Sequence, residues 1–293
     1  MKKLLIFLLL ALSLYANAQN KKKQMFMALF SGNIEVTDPN IALGDAFLTT
    51  SATTRAYWDF TELGTDDGTV LTSYNDLSLS GTWDLDNASG ANNPKSGIIQ
   101  RGTSSTTTLR AKTASTFKEA FKTTVAAENL LKNNVEVHML LSLEDGRNAS
   151  TNILFGSANG GTLKFSIRVT ALGEIQIQYA SYTAISTSTS TIVCFPDGLT
   201  GVHLLRIRLD FTTDVFSGNF DGIPLSFSTT GTAIASLDPS FWNSGANGCG
   251  IGGEWSGSFP VDTSNLKYIL KAAVTNLLTD EEYLQLAASF LNY

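Results

Sequence analysis

The sequence predicts an all-β, antiparallel two-sheet protein with a short C-terminal helix, and three observations carry that prediction. From Arg55 onward, short runs rich in Val, Ile, Phe, Tyr and Thr alternate with clusters of Gly, Asn, Asp and Ser, the pattern of a sandwich or barrel. Several of these runs alternate strictly between apolar and polar residues, so each has one face to bury. The composition is also that of a packed chain: 293 residues, 43% hydrophobic, 16% charged, with 2 cysteines. That leaves too little charge for disorder and too few cysteines for a disulfide scaffold.

In chain order, Lys2 and Lys3 precede an apolar run from Leu4 to Leu14 and then Ala16-Asn17-Ala18. A charged start, a short apolar stretch and an A-x-A site describe a signal peptide over residues 1–18, with export to the periplasm, cell surface or medium. The run is shorter than the about 20 residues of a membrane-spanning helix, so no transmembrane span is expected in the mature chain. Removing it leaves 18 basic and 26 acidic side chains, which takes the formal net charge from −6 to −8. Residues 19–54 read as an N-terminal leader or arm: Lys21 to Lys23, the apolar Met25 to Phe30, then loop-like text containing Asp38-Pro39 and Gly44-Asp45. Residues 55–293 show one composition regime and no repeat, and they are expected to form one domain.

Within that domain the faces can be assigned. Val135, Val137, Met139, Leu141 and Leu143 share a face opposite Glu136, His138 and Ser142. Leu163, Phe165, Ile167 and Val169 oppose Lys164, Ser166 and Arg168, and Ile175, Ile177 and Tyr179 alternate with Gln176 and Gln178. Leu205, Ile207, Leu209 and Phe211 oppose Arg206, Arg208 and Asp210. These are half-buried strands in a well-specified register. Asp221-Gly222, between Val215-Phe216 and Leu225-Phe227, signals a tight hairpin. A short helix is expected around Ala126 to Lys132. A second follows Thr279, where Glu282 completes a capping box, Leu278 and Tyr283 form a hydrophobic staple, and Leu284, Ala287, Ala288 and Leu291 make the buried stripe.

Four segments, taken in order, resemble a known family. Arg55-Ala56-Tyr57-Trp58-Asp59-Phe60 with Leu77 to Gly81, Leu204 to Phe211 with Phe220 to Leu225, Cys249 to Gly253, and Leu266 to Ala273 with Asn276 to Glu282 are similar to the laminin-G-like jelly rolls of the concanavalin A-like lectin/glucanase superfamily. The resemblance covers about residues 55–293. It implies a jelly-roll sandwich, one sheet often concave, with functional loops at the rim. It does not fix an activity, because the fold hosts lectins, adhesion modules, hydrolases and lyases.

The residues then narrow the chemistry. A net charge of −6 without clustered Lys and Arg argues against nucleic acid, and two His with two Cys make a zinc site of the usual type improbable. A retaining hydrolase needs alternating carboxylates on one strand, and no such run exists. A uronate lyase needs a carboxylate neutraliser and a base; His138, Lys164, Arg168, Gln176, Gln178, Arg206 and Arg208 are the right types, with a solvated sheet face as the plain alternative. Calcium is the ion the resemblance implies at the rim, with Asp210, Asp214, Asn219 and Asp221 as its oxygen ligands and ordinary turn chemistry as the alternative. Trp242, Asn243, Asn247, Glu254 and Trp255 supply an aromatic platform flanked by amides and a carboxylate, which is what binding a sugar requires. Cys194 and Cys249 either pair as a disulfide or remain two buried thiols. The reading is an exported, non-catalytic binding or adhesion module for a glycan or a cell-surface or extracellular protein. A polysaccharide lyase or hydrolase, and a structural subunit of an extracellular assembly docking through residues 19–54, are the alternatives.

Overall fold

The computed structural model describes residues 39–87, 94–101, 104–114, 117–119, 121–123, 130–131, 134–143, 152–159, 162–181, 184–194, 201–210, 212–213, 215–230, 249–252, 254–255 and 267–293. The expected signal peptide, residues 19–38 of the leader and most of the expected helix around Ala126 to Lys132 lie outside them.

Two large sheets form the molecule. The first contains β1 (Thr54–Asp59), β4 (Lys95–Arg101), β5 (Ser104–Ala114), β6 (Phe117–Glu119), β8 (Val135–Leu143), β13 (His203–Asp210), β14 (Val215–Phe220), β15 (Ile223–Pro224) and β19 (Lys267–Thr275). The second contains β2 (Ser73–Tyr74), β3 (Leu85–Asn87), β7 (Phe121–Thr123), β9 (Asn152–Asn159), β10 (Thr162–Val169), β11 (Glu174–Ser181), β12 (Ala184–Val193), β16 (Phe227–Thr230), β17 (Gly250–Ile251) and β18 (Glu254–Trp255). Their orders are β15-β14-β13-β8-β19-β5-β4, with β1 also on β19 and β6 on β5, and β16-β12-β11-β10-β9-β17-β7-β3-β2, with β18 on β9. Strands that are neighbours in space but distant in sequence, such as β8 between β13 and β19, give the crossed connectivity of a sandwich. Among the described residues two α-helices accompany the sheets, α1 (Pro39–Thr50) and α2 (Asp280–Leu291).

The alternating strands explain the core. Val135, Val137, Met139, Leu141 and Leu143 of the first sheet meet Phe165, Ile167, Val169, Ile175 and Ile177 of the second, with Leu205, Ile207 and Leu209 alongside, in one buried cluster. The β13–β14 pair runs in the expected antiparallel register, Arg206 opposite Asn219. The turn after β14 has Asp221 at φ 51° and Gly222 at φ 74°, the pair of left-handed residues a tight hairpin requires.

The first sheet has a second buried face, which alternation alone does not reveal. Leu140, Leu204 and Leu270 point away from the sandwich and pack with Ile41, Leu48, Leu286 and Phe290 of the two helices. Val135–Leu143 is therefore buried along its whole length rather than half-buried as expected. The expectation of a loop-like leader also fails over residues 39–50, which form α1. Gly44 signals a turn in the sequence, but its role is close approach: a Cβ there would lie 2.1 Å from the Gln285 carbonyl oxygen of α2. Ser289 of α2 also donates a short hydrogen bond to Asp45 of α1.

The C-terminal helix starts as expected, with the Thr279 and Glu282 capping box formed and the staple residues Leu278 and Tyr283 both buried. Its buried set is wider than the expected stripe. Tyr283, Leu286, Phe290 and Ser289 join Ala287, Ala288 and Leu291, whereas Leu284 is only half-buried. A helix lying between a sheet and a second helix has two faces to bury, which a single-stripe reading misses. At its C-terminal end the buried Lys271 donates to the carbonyls of Ser289 (2.9 Å) and Asn292 (3.3 Å) and pairs with Asp59 (3.1 Å), satisfying acceptors that the helix itself leaves open.

Candidate binding face

The outer face of the second sheet is built by strict alternation on its central strands. With Phe165, Ile167, Ile175 and Ile177 turned into the core, Ser166, Arg168, Gln176 and Gln178 turn outward. Register then sets these residues in rows. Ser166 stands opposite Gln178 and Gly156, while Arg168 stands opposite Gln176, which in turn faces Thr189. The Arg168 Nε donates to Ser166 Oγ at 2.7 Å, so the guanidinium arm lies along its own strand toward the Ser166–Gln178 row. Gly156 leaves room for that row, since a Cβ there would meet Ser166 Cβ and the Phe165 carbonyl at 3.1 Å. The Gln178 Oε1 is shielded from solvent and accepts no hydrogen bond from the described residues. Amides, hydroxyls and a guanidinium on a rigid sheet can orient a hydroxylated ligand.

The predicted glycan platform adjoins this face where it is described. β18 pairs in parallel with β9, bringing Glu254 level with Gly156 in the row that holds Ser166 and Gln178, and Trp255 level with Ser157 in the neighbouring row that holds Phe165. Trp242, Asn243 and Asn247 lie outside the described residues. Gly156 and Thr189 were missed by the sequence reading. A glycine inside a strand is a signal for close approach and could have pointed to the first.

The lyase set does not assemble. Arg168, Gln176 and Gln178 sit on the outer face of the second sheet, and Lys164 occupies the same strand as Arg168. His138, Arg206 and Arg208 belong to the opposite face of the molecule, on the first sheet beneath α2. There they serve a structural hub around the fully buried Glu136. Arg206 Nε and one terminal nitrogen each donate to Glu136 at 2.8 Å, the Leu278 amide donates at 3.1 Å, and Arg208 reaches it at 3.4 Å. Burial alone raises the Glu136 carboxyl, but hydrogen bonds from His138 and Arg206 and their charges outweigh it and bring it down to about 2. The Arg206 guanidinium also lies 4.0 Å over the Tyr283 ring, a cation–π contact that ties α2 to the sheet. His138 is wholly buried, with Nε2 at 3.2 Å from Thr275 Oγ1 and 3.4 Å from Glu136, and burial holds its imidazole below its ordinary pKa.

The calcium set also separates. Asp210 caps the turn after β13 by accepting from the amides of Thr212 and Thr213, both at 3.1 Å. Asp221 instead accepts from the Leu204 amide at 2.9 Å and lies 2.6 Å from His203 Nδ1. Leu204 and Asp210 are six residues apart along one strand, about 20 Å at a strand's rise, so the two carboxylates do not share an ion. Asn219 lies near Asp221, and Asp214 is outside the described residues. Among the described residues no three His, Cys, Asp or Glu side chains gather as a metal ion would require.

Of the two readings left open for the cysteines, the structure has the buried thiols. Cys194 follows β12 and Cys249 precedes β17, with β11, β10 and β9 between, four interstrand steps or about 19 Å. A disulfide needs Cα atoms within about 7 Å. Burial pushes Cys194 up to about 11 and Cys249 higher still, which suits inert core thiols.

No protein-family model matches the chain, and no curated protein sequence does. Solved structures do share its fold. The binding domain of botulinum neurotoxin DC in complex with rat synaptotagmin II is 8% identical, with a TM-score of 0.55 over 82% of this chain and 52% of that one. The receptor binding domain of botulinum neurotoxin mosaic serotype C/D is 9% identical, with a TM-score of 0.52 over 80% and 50%. A Trypanosoma rangeli sialidase is 12% identical, with a TM-score of 0.51 over 94% and 39%. The chain thus spans about half of the toxin domains and two fifths of the sialidase. At these identities the likeness is one of fold, an antiparallel β-sandwich.

Proposed function

We propose that the protein is an exported, non-catalytic module that holds a glycan, or a glycan-bearing surface partner, on the outer face of its second sheet. The observation that carries this reading is the row formed by Gly156, Ser166 and Gln178 beside Arg168 and Gln176, with Glu254 of β18 level with Gly156 and Trp255 one residue on. The partly exposed Arg168, Gln176 and Gln178 suit a polyhydroxylated ligand, and an adjoining aromatic segment suits the apolar face of a sugar ring. Trp242, Asn243 and Asn247 extend that platform in the proposal. The finer placement among laminin-G-like jelly rolls rests on the four sequence segments quoted above and is supported by the tight Asp221-Gly222 turn and the capped start of α2.

A printed array of neutral and acidic oligosaccharides, probed with the chain from residue 19 onward, tests the reading. Wild type is expected to retain a defined subset of glycans, and Trp255→Ala and Arg168→Ala, each checked for folding, are expected to lose it. Retention by both variants at the wild-type level would reject this face as the site.

A further inference from the structure

α1 is apolar on two sides. Its inner side carries Ile41, Gly44 and Leu48, all buried. On the other side Pro39, Leu43, Ala46, Phe47 and Thr50 follow the three- and four-residue spacing of a helical stripe. Pro39, Leu43 and Ala46 are exposed, Leu43 at 51%, and Phe47 is half-buried. Thr50 turns its hydroxyl back onto the Ala46 carbonyl at 2.6 Å, so its donor is used within the helix. The one charged residue of α1, Asp45, lies to one side of the stripe and accepts from the Ser289 hydroxyl of α2. A helix that is apolar all round belongs between two layers, and an exposed apolar stripe marks a contact surface.

We propose that residues 25–30 of the same chain dock on this outward stripe and form its second layer. They read Met-Phe-Met-Ala-Leu-Phe, six consecutive apolar side chains. Run and stripe are each unfavourable in water, and packing one on the other removes both surfaces from it. Residues 31–38 join the run to Pro39. Extended, these eight residues span about 26 Å, whereas the 12 residues of α1 make a helix about 18 Å long, so the run reaches any part of the stripe. The connector begins Ser31-Gly32-Asn33, residue types that let a chain reverse. A second copy fits less well. One face of a helix about 18 Å long and about 10 Å wide offers about 180 Å², against about 800 Å² per partner in a stable complex. The proposal stands apart from the glycan reading, and it makes the leader a part of the domain rather than an arm for a neighbour.

Melting curves of four forms of the chain from residue 19 onward test this: wild type, Phe26→Ser with Phe30→Ser in the leader, Leu43→Gln on α1, and the three changes together. The leader variant and the α1 variant are each expected to lower the Tm by at least about 3 °C. The combined variant is expected to melt within about 1 °C of the lower of the two, because both remove the same contact. The leader variant is also expected to speed amide hydrogen exchange in residues 39–50. A Tm unmoved by the leader variant would overturn the proposal, since exposed apolar residues change to polar ones at little cost. Tm losses that simply add would overturn it too. Light scattering across a range of concentrations is expected to give a monomer for wild type. A dimer that the leader variant disperses would put the run on a second copy and contradict docking within one chain.

Discussion

At the scale of single residues, the first sheet shows how a polar side chain can be of the right type and still serve structure. Glu136 sits fully out of water and stays charged because Arg206, Arg208 and the Leu278 amide surround it. Truncating one partner of such a buried set is costly, because the other charge is left uncompensated. His138 has the opposite character: burial favours its neutral form. The folded pKa lies below the unfolded value of about 6.5, so the unfolded chain takes up a proton that the folded chain refuses. The stability this provides is complete above about pH 6.5 and is lost as pH falls toward the lowered folded value. His138→Gln is therefore expected to flatten the decline of Tm between pH 6.5 and 5, whatever it does to Tm at pH 7.5. An equal decline in both proteins would contradict this assignment. The alternation of Glu136, His138 and Ser142 with their apolar neighbours was legible in the sequence, but the layer covering that face was not. Period two says which residues share a face and is silent on whether water or a helix lies over it.

At the scale of elements, the same gap accounts for α1. The start of α2 could be read because a capping box is local chemistry, two side chains and two amides within four residues. Pro39–Thr50 has Gly44-Asp45 at its centre, lacks acidic residues in its first turn, and is held by packing against α2 rather than by propensity. The glycine that argues against a helix is there because two helix backbones approach too closely for a side chain. Gly44→Ala is expected to raise helix propensity yet destabilise the protein by about 1–3 kcal/mol through overpacking, seen as a lowered Tm. A raised Tm would mean that α1 does not dock on α2 as described.

At the scale of the whole molecule, the two outer faces have different fates. One lies beneath α1 and α2 and is filled with apolar side chains and a buried ion-pair hub. The other carries Ser166, Arg168, Gln176, Gln178 and Thr189 and is met at one end by Glu254 and Trp255. The sandwich itself was legible because its strands alternate cleanly. The location of the candidate face was only half legible, because Arg168 and Arg206 look alike in sequence and register alone assigns them to opposite sides. Hydrogen–deuterium exchange with and without the oligosaccharide best retained on the array tests the central claim most directly. New protection is expected to gather in residues 152–159, 162–169, 174–181 and 184–193, with residues 135–143 and 280–291 unchanged. Protection confined to the β13–β14 hairpin, or to the helical side, would contradict the account.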